Sequence, residues 1–295
     1  MLGFSVRVSA FATAVVAVLA VAAFADDRRA EQAIQEEVWA IPVTLPTIAY
    51  VVRPVGKGPF PLVVMNHGVS LNQKERGFFP LVEFRDAAIW FAKRGYMVVA
   101  PTGSGYGAAA FDVPEHGHYS LFFSKVGNCD NPNFHDAGRL VALMDKWIID
   151  YMADQKLIVP DNVIVVGQSA GGWAAIALSS ENVPGVRAII TFAAGRGGRV
   201  GGKPNNNCAP DRLVAATGEF GRTARTPMLW IYIENDTFFG PELSRQMHAA
   251  YTGAGGKAEY HLLPPFGDEG HFLVSSADSL PLWTPLVAAF LDKHR

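Results

Sequence analysis

The stretch Asn162-Val163-Ile164-Val165-Val166-Gly167-Gln168-Ser169-Ala170-Gly171-Gly172 decides the architecture. Four consecutive β-branched residues, 163–166, form a short apolar run of the kind that makes a buried strand. The run leads directly into Gly-x-Ser-x-Gly, and Trp173-Ala174-Ala175-Ile176-Ala177-Leu178 continues as a helix. A strand that turns sharply into a helix at a serine is a nucleophile elbow, which lifts one hydroxyl above the edge of a sheet. So tight a turn excludes bulk on either side of Ser169. Gly167, Gly171 and Gly172 satisfy that condition, and the backbone N–H of Ala170 is left facing the place where an oxyanion would form. The bare motif is weak, because Gly and Ser are common in loops. The strand before it and the helix after it make it specific.

Outward from the elbow, strands and helices alternate, which predicts a mostly parallel sheet with helices on both faces. Strands are expected at 48–52, 62–65, 96–100, 187–192, 228–233 and 258–263. Helices are expected at 80–94, at 241–251 and near the C-terminus, where Trp283, Leu286, Val287, Phe290 and Leu291 share a face. The clearest helix precedes the elbow. Leu140, Leu143, Met144, Trp147, Ile148 and Tyr151 form one continuous apolar stripe at helical spacing. Two stretches, 102–129 and 193–226, read as irregular. No repeat, coiled coil or linker divides the chain.

Residues 1–25 read as a secretory signal peptide. Arg7 precedes an Ala- and Val-rich apolar stretch, and Ala23-Phe24-Ala25 supplies an A-x-A cleavage site before Asp26-Asp27. The alternative is an uncleaved anchor, but the apolar stretch falls short of the roughly 20 residues a membrane span needs. The remainder, 26–295, is long enough for a single α/β domain with a large core. The expected location is therefore exported, periplasmic or extracellular, with no stable membrane insertion after cleavage. The formal net charge of −2 offers nothing to a nucleic acid. The two cysteines, Cys129 and Cys208, are expected to form a disulfide, as an even pair in an exported chain usually does. A buried pair of thiols is the alternative. No metal or organic cofactor is implied.

A serine hydroxyl is a poor nucleophile at its own pKa. It needs a histidine to take its proton and a carboxylate to orient that histidine. On a fold with this elbow the partners follow in the order Ser, acid, His, at the carboxyl ends of later strands. Asp236, in Glu234-Asn235-Asp236-Thr237 just past the 228–233 strand, is the expected acid. Glu234 is the alternative, with less freedom to reach a neighbouring loop from the strand's end. His271, in Gly267-Asp268-Glu269-Gly270-His271-Phe272, is the expected base. His261 lies inside a strand, His116, His118 and His135 precede the elbow, and His294 is at the C-terminus. Asp268 and Glu269 read as solvated loop charges.

The second oxyanion donor is expected in Asn66-His67-Gly68-Val69-Ser70, after the 62–65 strand. The N–H of Val69 is the first choice and that of Gly68 the second. His67 is out of order for a base and reads as structural, with its ring hydrogen-bonded beneath the loop. Trp173, Phe238 and Phe272 adjoin the triad residues and are expected to wall a substrate pocket. Phe239, Tyr106, Phe111, Phe122 and Phe123 are further candidates. For each of these aromatics a place in the core is the alternative.

His67-Gly68 after a strand, the Gly167–Gly172 elbow, Asn235-Asp236 and Gly270-His271 together resemble the dienelactone-hydrolase-like branch of the α/β-hydrolases. The resemblance spans roughly 48–291. It implies the α/β-hydrolase fold and the triad, without fixing a substrate. True dienelactone hydrolases place a cysteine at the elbow, and this chain has Ser169. The resemblance therefore implies a serine esterase or acyl hydrolase more than lactone opening. No His-Gly-Gly-Gly loop is present, which argues against the hormone-sensitive-lipase type. The expected substrate is a small-molecule or polymeric ester. A peptidase like the prolyl oligopeptidases shares the elbow, but usually carries an added domain that this chain has no room for. A non-catalytic binding protein on the same fold is the other alternative, against which the intact triad argues.

Overall fold

The computed structural model describes residues 33–44, 47–69, 76–103, 106–107 and 129–295. The expected leader and three of the aromatic candidates, Phe111, Phe122 and Phe123, lie outside the described residues. Residues 32–295 gather into one compact unit.

In chain order the elements are β1 (Ile34–Ile41), β2 (Thr47–Pro54), β3 (Phe60–Asn66), α1 (Arg85–Ala92), β4 (Met97–Pro101), α2 (Phe134–Asp154), β5 (Ile158–Gln168), α3 (Ala170–Glu181), β6 (Val186–Phe192), α4 (Pro210–Gly221), β7 (Met228–Ile233), α5 (Pro241–Gly253), β8 (Ala258–Leu263) and α6 (Leu280–Lys293). The strands form one eight-stranded sheet in the order β1-β2-β4-β3-β5-β6-β7-β8. β1 and β2 run antiparallel to their neighbours. From β4 through β8 every pairing is parallel.

The central strands carry consecutive apolar residues on both of their faces because both faces of the sheet are covered. Along β3, Leu62 and Val64 pack into one core layer while Val63 and Met65 pack into the other. β7 divides the same way, with Met228, Trp230 and Tyr232 on one side and Leu229, Ile231 and Ile233 on the other. The first layer lies under α2, α3, α4 and α5, and the second under α1 and α6. All of the parallel strands point their carboxyl ends the same way, so the loops after β3, β5, β7 and β8 converge on one rim. This is the α/β-hydrolase fold, with a mostly parallel sheet between helices.

Two elements differ from the sequence reading. β1 was not expected. Its Gln35, Glu36 and Glu37 break the apolar run, and an antiparallel edge strand needs only partial burial. α4 lies inside a stretch that reads as irregular. Its buried face is Leu213, Ala216, Thr217, Phe220 and Gly221, spaced as a helix but too small and polar to stand out. The expected 80–94 helix is shorter and begins at Arg85.

Cys129 and Cys208 are joined by a disulfide, with Cα atoms 5.2 Å apart. The backbone N–H of Cys208 donates to Gly197 O at 2.8 Å, so the bridge fixes the segment that leads to the cavity wall at Gly198. It closes a loop of 79 residues. By chain-entropy reasoning a bridge of that span contributes at most roughly 4–5 kcal/mol. Reduction is expected to lower the melting temperature. An unchanged melt with and without reductant would show that the bridge contributes nothing.

Candidate active site

Ser169 sits between β5 and α3 with φ 54° and ψ −119°, a left-handed conformation costly for a residue with a Cβ. The surrounding glycines make it possible. A Cβ on Gly167 would lie 2.2 Å from Gly171 O, and one on Gly171 would lie 2.3 Å from Asn66 O. The Ser169 N–H donates to Phe192 O, and its carbonyl accepts from Trp173 N and Gly195 N, at 2.9–3.0 Å. Ala170 is the first residue of α3, so its N–H has no acceptor within the helix.

Asp236 and His271 meet in the buried interior next to the elbow. Nδ1 of His271 lies 3.2 and 3.1 Å from the two carboxylate oxygens of Asp236. Both residues are 2 % exposed. A carboxylate only accepts, so Nδ1 carries the proton and Nε2 is left with a free lone pair. Oδ1 of Asp236 also accepts from the N–H groups of Phe238 at 2.7 Å and Phe239 at 3.0 Å, which fix the carboxylate. Glu234 is exposed, and its N–H is engaged by Leu263 O. The imidazole is held on its face by Phe238, stacked at 4.0 Å and 17°, and at its edge by Phe272. Gln168 donates from Nε2 to His271 O at 3.0 Å and ties the elbow to the histidine loop.

On the opposite side, the loop after β3 crosses close to the elbow. A Cβ on Gly68 would lie 2.6 Å from Gln168 Oε1 and 3.0 Å from Ser169 Cβ, so the loop and the elbow are in close contact there. Val69 follows at the cavity mouth. The His67 ring is wedged against Phe79 and Tyr106 beneath this loop. Its Nε2 accepts from Gly103 N at 2.8 Å, so Nδ1 carries the proton and donates to Gly68 O at 2.5 Å. Burial pulls the ring down to about 4, which keeps it neutral. Deeper still, Asn66 donates from Nδ2 to Asp145 at 2.8 Å. Burial pushes the Asp145 carboxyl up to about 8.

The neutral His67 has a consequence for stability. Its pKa falls from 6.5 in the open chain to about 4 in the fold, so below 6.5 the unfolded chain takes up a proton that the folded one refuses. This contribution is complete above pH 6.5 and is lost as the pH falls to about 4. The melting temperature of the wild type is expected to drop more steeply across that window than that of His67→Gln. Parallel curves would rule the effect out.

Ser169, His271, Gly68, Val69, Gln168, Phe79, Glu83, Phe238, Phe272 and Arg199 line a common cavity of about 740 Å³. Phe238 and Phe272 are thus on the wall, as expected. Trp173 is not. It is fully buried behind the elbow, where its Nε1 donates to Phe134 O at 2.8 Å and its ring packs on Phe134 and Phe220. It follows Ser169 by four positions, one turn into α3, which turns its side chain back into the core. Phe239 and Tyr106 are also buried. Sequence reasoning missed Gln168, Arg199 and Glu269. Glu269 is no solvated charge: it accepts from the N–H groups of Thr237 and His271. Among the described residues, no group of three or more His, Cys, Asp or Glu is arranged to hold a metal ion, and no helix is long and apolar enough to cross a membrane.

The sequence pattern of the dienelactone hydrolase family matches residues 48–275, from β2 through the histidine loop. The chain belongs to that family. Solved structures with the same fold include a Klebsiella pneumoniae protein provisionally called a dienelactone hydrolase, at 19% identity and TM-score 0.58, covering 87% of this chain and 98% of that one. Esterase 2 of Thermogutta terrifontis, solved with propionate bound, matches at 20% identity and TM-score 0.56 over 88% of this chain and 94% of the esterase. The same esterase has been solved phosphorylated by paraoxon. Dipeptidyl peptidase 4 of Porphyromonas gingivalis matches at 14% identity and TM-score 0.62, over 88% of this chain but only 35% of the peptidase. No curated protein matches in sequence. As a member of the dienelactone hydrolase family, the chain is a hydrolase.

Proposed function

We propose that this hydrolase is an exported serine esterase that cleaves carboxylic esters through an acyl-enzyme. Ser169 attacks the ester carbonyl while His271 takes its proton. The same histidine then returns the proton to the leaving alcohol, and in the second half-reaction activates the water that releases the acid. Asp236 holds the imidazole in the working tautomer. The N–H groups of Ala170 and Val69 receive the oxyanion. The observation that carries this reading is the buried Asp236–His271 pair, whose histidine lines one cavity together with a serine in a left-handed turn.

The cavity walls suit an ester with an apolar part, since Phe79, Phe238, Phe272 and Val69 surround the serine. Export is supported by the leader at residues 1–25 and by the disulfide, which persists in an oxidising compartment such as the periplasm or the medium. Covalent capture of the Thermogutta esterase by paraoxon suggests organophosphates as reagents for the serine. The test is a series of p-nitrophenyl esters of increasing chain length beside a peptide amide of matched side chain. Ester turnover should exceed amide turnover by orders of magnitude. Faster amide cleavage would transfer the enzyme to the peptidases.

A further inference from the structure

The triad pair is built from two loops that the sheet does not hold in register. The β7–β8 ladder ends at Ile233 opposite Leu263, before either Asp236 or His271. The Asp236–His271 contact therefore needs a brace of its own beyond the last ladder pair. We propose that Glu269 is that brace: a positioning residue that locks the acid loop to the histidine loop. The inference rests on the reading of Ser169, Asp236 and His271 as the triad.

One carboxylate does the joining. Oε1 of Glu269 accepts from Thr237 N at 3.0 Å and from His271 N at 3.1 Å. Oε2 accepts from the Thr237 hydroxyl and lies 3.4 Å from Nη1 of Arg199. Thr237 is the residue after the acid, and His271 is the base itself. The two backbone N–H groups that share Oε1 thus belong to the two sides of the triad contact. A shift of either loop would break one of these bonds. Hydrogen bonds to a charged acceptor are the stronger kind, and the Glu269 side chain is only 19% exposed.

The brace reaches on into the cavity wall. The Arg199 guanidinium lies 5.1 Å over the ring of Phe238, and the same ring stacks on His271. Arg199 also donates to Gly202 O at 3.1 Å. Glu269 is therefore bonded to the acid loop, the histidine loop and the wall beside them. Asn235 is a second tie between the loops: its side chain bonds Phe266 and Gly267 and its carbonyl accepts from Gly270 N at 3.4 Å, but it bonds neither Thr237 nor the His271 N–H.

The test compares wild type, Ser169→Ala, Glu269→Ala, Glu269→Gln, Asp236→Asn and the double variant Glu269→Ala/Asp236→Asn on one p-nitrophenyl ester. Misplacement of a catalytic group by about 1 Å costs on the order of 10²-fold. Glu269→Ala should lose about that much in kcat, with KM changed less than about threefold. Glu269→Gln keeps an oxygen that can accept from both N–H groups and should recover to within about tenfold of wild type. In the Asp236→Asn background the misplaced partner is already lost, so Glu269→Ala should cost less than about threefold there. A wild-type kcat in Glu269→Ala overturns the inference. So does an equal loss in both backgrounds, which would mean that Glu269 acts only on stability. Should Glu269→Ala not fold, Glu269→Asp keeps the charge but is one methylene too short to reach both loops. It should lose at least about tenfold, and a wild-type kcat there overturns the inference as well. Failure of the triad reading shows separately, as activity retained in Ser169→Ala, and takes this inference with it.

Discussion

Ser169→Ala is expected to abolish turnover, with ester hydrolysis falling about 10⁶-fold and only the catalysis from oxyanion binding left. The size follows from how the serine is held. A residue with φ 54° and ψ −119° in a turn that has no room for a Cβ at 167 or 171 is costly to maintain. Its neighbours reveal no packing reason for the strain, and the chain could relieve it with a glycine at that position. What the conformation provides is a serine on the wall of a cavity that Gly68, Val69 and His271 also line. Removing the hydroxyl leaves cavity, imidazole and N–H groups in place with nothing to attack. A fluorophosphonate probe should label the wild type once, at Ser169, and fail on the variant. Full labelling of Ser169→Ala would remove the serine from the mechanism. The melting temperature of the variant should be equal to or above that of the wild type, because the strained hydroxyl adds nothing to packing.

The strands that position this serine were legible because each carries its own signature. β7 and residues 163–166 of β5 are unbroken apolar runs, and a run covered on both faces needs no knowledge of its partners to be seen. The order of serine, acid and histidine along the chain was legible for a related reason. The fold places them after β5, β7 and β8 in turn. What stayed hidden depends on contacts distant in sequence. β1 is a strand because β2 lies beside it, with Trp39 opposite Ala49. Trp173 lies four positions from Ser169 in sequence, yet the helical turn aims it at Phe134 and Phe220. Glu269 has the composition of a solvated loop residue. Only the approach of Thr237, 32 positions earlier, turns it into a junction. Gln168 is similar: as the variable position of the elbow motif it carries no pattern, and its bond to His271 O spans 103 positions.

The second large effect is expected at the acid, where two carboxylates two residues apart compete in the sequence and separate in the structure. Asp236→Asn should lower kcat on the order of 10⁴-fold, while Glu234→Gln should change it less than about threefold. The asparagine keeps the shape of the aspartate and can still accept from the Phe238 and Phe239 N–H groups, so the loop should stay folded. What changes is the proton on the imidazole. An amide can donate to Nδ1, which stabilises the tautomer with the proton on Nε2. That tautomer cannot take the serine proton, and the imidazolium formed during attack loses its buried counter-charge. Glu234, by contrast, is exposed just past the end of β7, and its backbone N–H donates to Leu263 O. Its side-chain charge is in solvent, where loss of a carboxylate has little leverage on a buried ring. The measurement is kcat and KM of both variants on one p-nitrophenyl ester, together with the rate of fluorophosphonate labelling. Labelling should slow in Asp236→Asn, since attack on phosphorus also requires His271 to take the serine proton, and stay at the wild-type rate in Glu234→Gln. If Glu234→Gln shows the larger loss, the orienting acid is at the strand's end. The 3.1 Å bond between Asp236 and His271 would then be structural rather than catalytic.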